Sequence, residues 1–276
     1  MIETPSGKSA KDENFPVGSW LLPPALRPHI ALFYAFARAG DDIADNPALA
    51  PAEKVERLTA FGQALQDGSG DPAEFGKAHR LRHSLIETNV TPRHGLDLLE
   101  AFKRDATKLR YDSWDDLIGY CRLSASPVGR YLLDLHGEVP EYRASDALCD
   151  SLQILNHLQD CQEDHRDLDR VYLPGDWMTA NGVTIDQLQG QAATPGLRRV
   201  INLCLDGVDD LLRVAATLPG QLRSRRLAME SAVILMLARR LSTLLRRGDP
   251  IAGRVGLSKA DFLAGGISGV FRALVS

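Results

Sequence analysis

The sequence predicts an all-α protein. Three observations carry that reading: strand-type alternation is scarce, apolar residues recur at spacings of three and four, and proline and glycine divide the chain into segments of helical length. The first strong segment is Ile30–Phe36, apolar and almost uncharged, which runs into Ala37-Arg38-Ala39-Gly40-Asp41-Asp42-Ile43-Ala44-Asp45 and meets Pro47. Breaks follow at Gly68-Ser69-Gly70, Pro92 and Pro140. Leu148, Leu152, Leu155 and Leu158 then mark one face of a helix that must end by Pro174-Gly175. Leu203, Leu205, Val208, Leu211, Leu212 and Ala215 do the same between Pro195-Gly196 and Pro219-Gly220. Val233, Leu237, Leu241 and Leu244 form the last face, before Gly248-Asp249-Pro250. The result is about ten helices of ordinary length. The longest polar break, Gln66–Pro72, is too short for an interdomain linker. Residues 1–276 therefore read as a single domain, with 1–13 a flexible tail.

Composition narrows the function classes. The chain has 276 residues, 44% apolar and 25% charged, with a net charge of -4. That balance suits a globular protein with its own core and argues against a nucleic-acid binder. Cys121, Cys149, Cys161 and Cys204 form no paired-cysteine motif, so neither a disulfide framework nor a structural zinc site is expected. The polar start, MIETPSGKSAKDEN, lacks the apolar core of a signal peptide. The late apolar run Ala232–Ala238 falls well short of the roughly 20 residues that span a bilayer. A cytoplasmic protein is expected. The arginine pairs at 225–226, 239–240 and 246–247 read first as solvated helix faces, with peripheral contact to an anionic membrane as the alternative.

The chemistry lies in two acidic motifs. Asp41 and Asp45 are four apart and share a helix face, whereas Asp42 points about 100° away. Downstream, Asp160 and Asp164 repeat the spacing, and Gln153 and Asn156 lie on the same stripe, flanked by Leu152, Ile154 and Leu155. A buried isolated carboxylate is costly and takes up a proton. Two such pairs become reasonable if they hold a divalent cation. Mg²⁺ prefers oxygen ligands and completes its shell with water and phosphate. A single acidic cluster at a helix end is usually surface, so it is the repeat of the pattern that points to a site. Other chemistries fail on inspection. His79 and His83 lack a third zinc ligand, no Glu-x-x-His occurs, and Gly7-Lys8-Ser9 has Ile2 where a phosphate loop needs its first glycine.

Taken together, Arg38-Ala39-Gly40-Asp41-Asp42-Ile43-Ala44-Asp45, Asn156-His157-Leu158-Gln159-Asp160-Cys161-Gln162-Glu163-Asp164, Arg170-Val171-Tyr172-Leu173-Pro174, Tyr120-Cys121 and Pro127-Val128-Gly129 resemble the squalene/phytoene synthase family. The resemblance runs from about Asn14 to Arg254. It implies an isoprenoid synthase fold, a single helical domain around a central apolar cavity. It also implies that Asp41, Asp45, Asp160 and Asp164, with Asn156, bind two or three Mg²⁺ ions together with diphosphate. Tyr34, Arg38 and Gln153 would line the diphosphate end, Tyr120 and Asp105 would lie near the reacting carbons, Phe15 would contact substrate, and Arg254 would reach phosphate. Catalysis is thereby assigned to Asp41, Asp45, Asp160, Asp164 and Tyr120.

Within the family, ENFPVGSWLLP, FYAFARAGDDIAD and NHLQDCQEDHRDLDRVYLP are most similar to the bacterial hopanoid branch. That branch converts presqualene diphosphate and water to hydroxysqualene and diphosphate, between a synthase that supplies the substrate and a reductase that consumes the product. The alternatives are coupling of two farnesyl diphosphates and, remotely, a non-catalytic helical adaptor. One departure bears on the choice. The family often has arginine where this chain has Gln159, and an enzyme that seats one diphosphate can dispense with it. Gln159→Arg is then expected to confer coupling of farnesyl diphosphate, measured as presqualene diphosphate formed. No gain of coupling counts against this explanation of Gln159.

Overall fold

The computed structural model describes residues 2–3, 22–138 and 141–262. In chain order the helices are α1 (Arg27–Ala44), α2 (Pro51–Asp67), α3 (Pro72–Thr88), α4 (Arg93–Thr107), α5 (Trp114–Ser124), α6 (Ser126–Leu135), α7 (Arg143–Leu168), α8 (Gly175–Ala180), α9 (Pro195–Ala215), α10 (Leu218–Gln221) and α11 (Arg225–Arg247). A 3-10 turn covers Ile185–Gln189, and two short strands, β1 (Arg110–Tyr111) and β2 (Val171–Pro174), pair in parallel. The expected helical class therefore holds. The strands were not legible because they have two and four residues, and every residue of β2 is buried, leaving no alternation to read. The chain divides into two compact units, 1–108 with 127–139, and 109–126 with 140–276.

Local chemistry explains most helix ends. Proline occupies the first turn of α1, α2, α3, α9 and α10, where its missing N–H costs nothing. Side chains of Asp71, Ser113, Thr194 and Ser224 cap α3, α5, α9 and α11 by accepting main-chain N–H bonds. The end of α7 is the most consequential. Asp169 adopts a left-handed conformation (φ 52°), and Arg170 N–H donates to the Asp164 carbonyl at 3.1 Å. Val171 N–H then donates to the Leu109 carbonyl at 3.0 Å, and Arg110 donates to both the carbonyl and the carboxylate of Asp169. The chain thus turns back, and β2 runs beside β1.

In the first unit, α1 is packed through Ile30, Phe33, Phe36, Ala39, Gly40 and Ile43, all buried. Phe33 stacks on Tyr131 of α6 with ring centroids 4.0 Å apart, and Phe36 stacks on Phe61 of α2 at 4.5 Å. The Tyr131 hydroxyl donates to the His29 carbonyl at 3.0 Å, which satisfies the polar end of a ring that is otherwise buried. Ile2 and Glu3 are also buried. The Ile2 carbonyl accepts from Arg57 and the Glu3 carboxylate pairs with Lys77 at 2.9 Å. In the second unit, α7 packs against α5, α9 and α11. Leu148, Leu155 and Leu158 are buried there, while Leu152 lies at the half-exposed edge. Other expected face positions hold only in part: Leu211, Val233 and Leu244 are half-exposed, and Leu203 is 38% exposed, because α9 buries its stripe through Val200, Cys204, Val208, Leu212 and Ala215.

Gly40 shows why the first acidic motif carries a glycine. A Cβ there would stand 2.7 and 2.8 Å from two ring carbons of Phe102 on α4. Gly40→Ala gains about 1 kcal/mol of helix propensity. Overpacking against this half-buried ring and the neighbouring Leu99 costs about 1–3 kcal/mol. The clash wins or at least cancels the gain, so the variant is expected to be no more stable than the parent. Chemical denaturation measures this, and a clear rise in midpoint would refute the packing argument.

Candidate active site

In the first unit, α1 carries the expected residues Tyr34, Arg38 and Asp41, with Asp45 at its C-cap. Arg38 is the centre of its electrostatics. Its Nη1 donates to Asp41 at 2.9 Å, and its Nε and Nη2 each lie 3.1 Å from Asp42 Oδ1. Asp42, the member of the trio that points off the shared face, is the buried one, at 5% exposure. It anchors the guanidinium from inside, leaving Asp41 and Asp45 half-exposed at the helix end. The sequence offered no role for Asp42, and the structure supplies one: it orients Arg38. Tyr34 is half-exposed one turn earlier on the same helix, and Asp105 is buried on α4. Phe15 lies outside the described residues.

In the second unit, the expected residues Gln153, Asn156, Asp160 and Asp164 are on α7, which is unbroken from Arg143 to Leu168. Gln153, Asn156, Asp160 and Asp164 are all half-exposed along it, while Ile154, Leu155, Leu158 and Cys161 between them are buried. The helical period brings these four polar residues onto one open stripe of a helix packed elsewhere. Asp160 is under electrostatic pressure. Burial, and then the charge of Asp164, push its carboxyl above the usual carboxylate range, and Arg254 opposes this. Cys161 behind it is buried, and its thiol is pushed up to about 12, mainly by desolvation. That thiol is not a nucleophile at neutral pH.

These observations test the fit of a divalent cation. Asp160 is half-buried, repelled by a neighbouring carboxylate, and takes no hydrogen bond from any side chain among the described residues. Added positive charge would relieve it. Among the described residues no group of three or more His, Cys, Asp or Glu is placed to hold a metal ion by itself. A carboxylate pair completed by water and diphosphate oxygens is the composition Mg²⁺ favours. The donor set fits Mg²⁺ held jointly with a diphosphate.

Beside the stripe is an aromatic cluster that sequence reasoning did not assign. The His157 ring lies flat on Tyr172, with centroids 3.5 Å apart and planes 11° apart. Tyr120 is tilted against both, at 5.9 and 5.4 Å, and Tyr111 completes the group at 5.2 Å from Tyr120 and 5.5 Å from Tyr172. All four are buried. His157 joins this cluster to the stripe, with Nε2 3.1 Å from the Gln153 amide and Nδ1 3.8 Å from the Asp164 carboxylate. The signal for His157 was available, because it is four residues from Gln153. The signal for Tyr172 was not, because its position depends on the turn at Asp169.

A strap after α11 brings the last expected residue to the stripe. Asp249 starts it by accepting from Ala193 N–H at 2.8 Å and Ile251 N–H at 3.0 Å. Gln159 donates from α7 to the Val255 carbonyl at 2.7 Å. Arg254 is exposed, and close enough to Asp160 for that carboxylate to feel its charge. Gln159 has a bonded role of its own here. Its amide already holds the main chain, and Gln159→Arg would break that tie as well as add a cation.

The comparisons with known proteins bear on the whole chain. Residues 8–261 match the family model described as squalene/phytoene synthase. The chain belongs to that family. It is 44% identical over 267 residues to a hydroxysqualene synthase of Rhodopseudomonas palustris, covering 95% of this chain and 89% of the relative. It is 28% identical to a 15-cis-phytoene synthase of a Paracoccus species, over 94% of this chain and 86% of the relative. Among solved structures it resembles the squalene synthase HpnC from Alicyclobacillus acidocaldarius, with a TM-score of 0.74 and 32% identity over 84% of this chain and 87% of that one. None of the helices among the described residues is long and apolar enough to cross a membrane.

The end of the strap gives a pH prediction. Asp261 accepts from the Ser258 hydroxyl at 2.6 Å, from Ser258 N–H at 2.8 Å, and from Arg240 Nε of α11 at 2.6 Å. These bonds, Ser258 foremost, lower its carboxyl from the ordinary 3.8 to about 2. A carboxyl lowered in the folded state favours the docked form above its ordinary value and loses that contribution as pH falls towards 2. The protection of amides 258–262, measured against their intrinsic exchange rates, should therefore fall over that window. Asp261→Asn should be fast at neutral pH already. A wild-type segment that stays equally protected through the window would contradict the assignment.

Proposed function

We propose that this chain converts presqualene diphosphate and water to hydroxysqualene and inorganic diphosphate. The observation that carries the reading is the difference in likeness over a similar span: 44% identity to a hydroxysqualene synthase against 28% to a phytoene synthase. In this reading Asp160, Asp164 and Asn156 of α7, and Asp41 and Asp45 of α1, are ligands for two or three Mg²⁺ ions and the diphosphate. Bound Mg²⁺ supplies Lewis-acid stabilisation of the departing diphosphate. Arg38, held by Asp42, and Arg254 donate charge-assisted hydrogen bonds to its oxygens. Tyr34 and Gln153 line the same end, and Phe15 contacts substrate. The C–O bond breaks heterolytically, and the electron pair leaves with the diphosphate. Tyr120, in its aromatic cluster, offers a ring face to the resulting carbocation, with Asp105 near the reacting carbons. Water adds to one carbon and loses its proton to solvent or the departing diphosphate.

The protein acts in the cytoplasm on a lipid diphosphate drawn from the inner membrane face. It works after a reaction that builds the cyclopropyl diphosphate and before one that reduces the tertiary alcohol. The test is to incubate the protein and Mg²⁺ separately with presqualene diphosphate and with farnesyl diphosphate. Hydroxysqualene from the first alone is expected. Coupling of the second would replace this reading with a condensing enzyme, and turnover of neither would indicate a helical adaptor. Chelation of Mg²⁺ should stop turnover, and Asp160→Asn or Asp41→Asn should each cost about a hundredfold or more in kcat with the circular dichroism unchanged. Near-normal activity in either variant would overturn the two-motif assignment.

A further inference from the structure

Gln159 lies next to a residue assigned to the site, and its amide is engaged by the main chain. It is buried, at 6% exposure, and its amide donates to the carbonyl of Val255. A bond to a main-chain carbonyl fixes backbone position without depending on the partner's rotamer. The segment it holds needs fixing. Residues 252–257 are exposed or half-exposed throughout, between one anchor at Asp249 with buried Ile251 and another at Asp261 with Arg240. The Gln159 bond falls in the middle of that span, one residue after Arg254. A Cβ added at Gly256 would lie 3.7 Å from the Gln159 amide nitrogen, so the strap rests directly on this side chain.

We propose that Gln159 is a positioning residue: it pins the strap so that Arg254 is presented to the diphosphate at the acidic stripe of α7. This rests on the assignment of Arg254 as a diphosphate ligand. An arginine on an untethered loop would have to be ordered in each binding event, and that entropy cost would weaken its bond to the ligand. With the backbone held on both sides, most of the ordering is complete before substrate arrives. Gln159 thus tunes an electrostatic contact that it does not itself make.

A double-mutant cycle tests this with Mg²⁺ and presqualene diphosphate. Arg254→Gln is expected to lower kcat/KM and to raise the inhibition constant of inorganic diphosphate. Gln159→Met, which keeps length and apolar packing but removes the donor, should lower kcat/KM by about tenfold, the scale of one hydrogen bond. In the Arg254→Gln background the same change should cost little further. Amides 254–257 should exchange faster in Gln159→Met while its melting transition stays near that of the parent. Should that variant fail to fold, Gln159→Asn withdraws the donor by one methylene and reads the same quantities. Two multiplying losses would mean that Gln159 acts elsewhere, and an unaffected Gln159→Met alongside an impaired Arg254→Gln would sink the pinning role. If Arg254→Gln alone has no effect, the assignment of Arg254 fails first, which separates the two ideas.

Discussion

The second unit depends on one constraint: α7 must be buried for packing yet keep a polar stripe on its surface. It is flanked by α5, α9 and α11, so most of its circumference carries apolar or small residues. The four-residue recurrence of Asn156, Asp160 and Asp164, with Gln153 a further three back, sets these four polar groups on one line. On its buried faces a charge needs partners of its own to offset a desolvation cost of several kcal/mol, as Asp150 has in Arg122 and Ser126. The other features of the unit serve that line. The left-handed turn at Asp169 returns β2 so that Tyr172 covers His157, and the strap from Asp249 carries Arg254 towards Asp160.

The first unit meets a similar demand differently. On α1 the polar residues gather at one end, where Arg38 is gripped from inside by Asp42 and from outside by Asp41. The inner carboxylate fixes the guanidinium, and the outer one remains half-exposed. Gly40 between these residues lets α4 approach through Phe102, so the acidic end of α1 sits on a packed surface instead of a fraying terminus. A motif read as three carboxylates is better described as one structural acid, two exposed acids and a glycine contact.

These distinctions also show what the sequence could convey. Helix faces and the four-residue pairs are local, set by the helical period, and so legible. Asp42 was correctly separated from its neighbours by angle, but whether it faced solvent or core depended on Phe33, Phe36 and the helices they meet. The stack of Tyr172 on His157 depends on a chain reversal whose left-handed residue is aspartate, not the glycine that would have announced it. The Gln159–Val255 bond joins residues 96 apart in sequence, beyond any periodic signal. Leu203 matched a spacing but not the face α9 buries, since a broad leucine pattern admits more than one apolar stripe.

Asp150 and Asp160 contrast a carboxylate satisfied within the protein with one that is not. Both are on α7, about three turns apart. Burial raises the carboxyl of each. Asp150 is fully buried, but its oxygens are satisfied within the protein: Arg122 Nε donates at 2.7 Å and the Ser126 hydroxyl at 2.8 Å. Those bonds tie α7 to the junction of α5 and α6, and removing the carboxylate would leave Arg122 without its partner and the helix junction loose. Asp160 is less buried, has Asp164 and Glu163 pushing against it, and receives only the more distant charges of Arg254 and His157 in return. Such a residue is poorly explained by stability, because a neutral amide in its place would relieve the repulsion. Its presence makes sense if the missing positive charge arrives with a ligand, and the half-exposed stripe on which it sits is where that ligand would have to come.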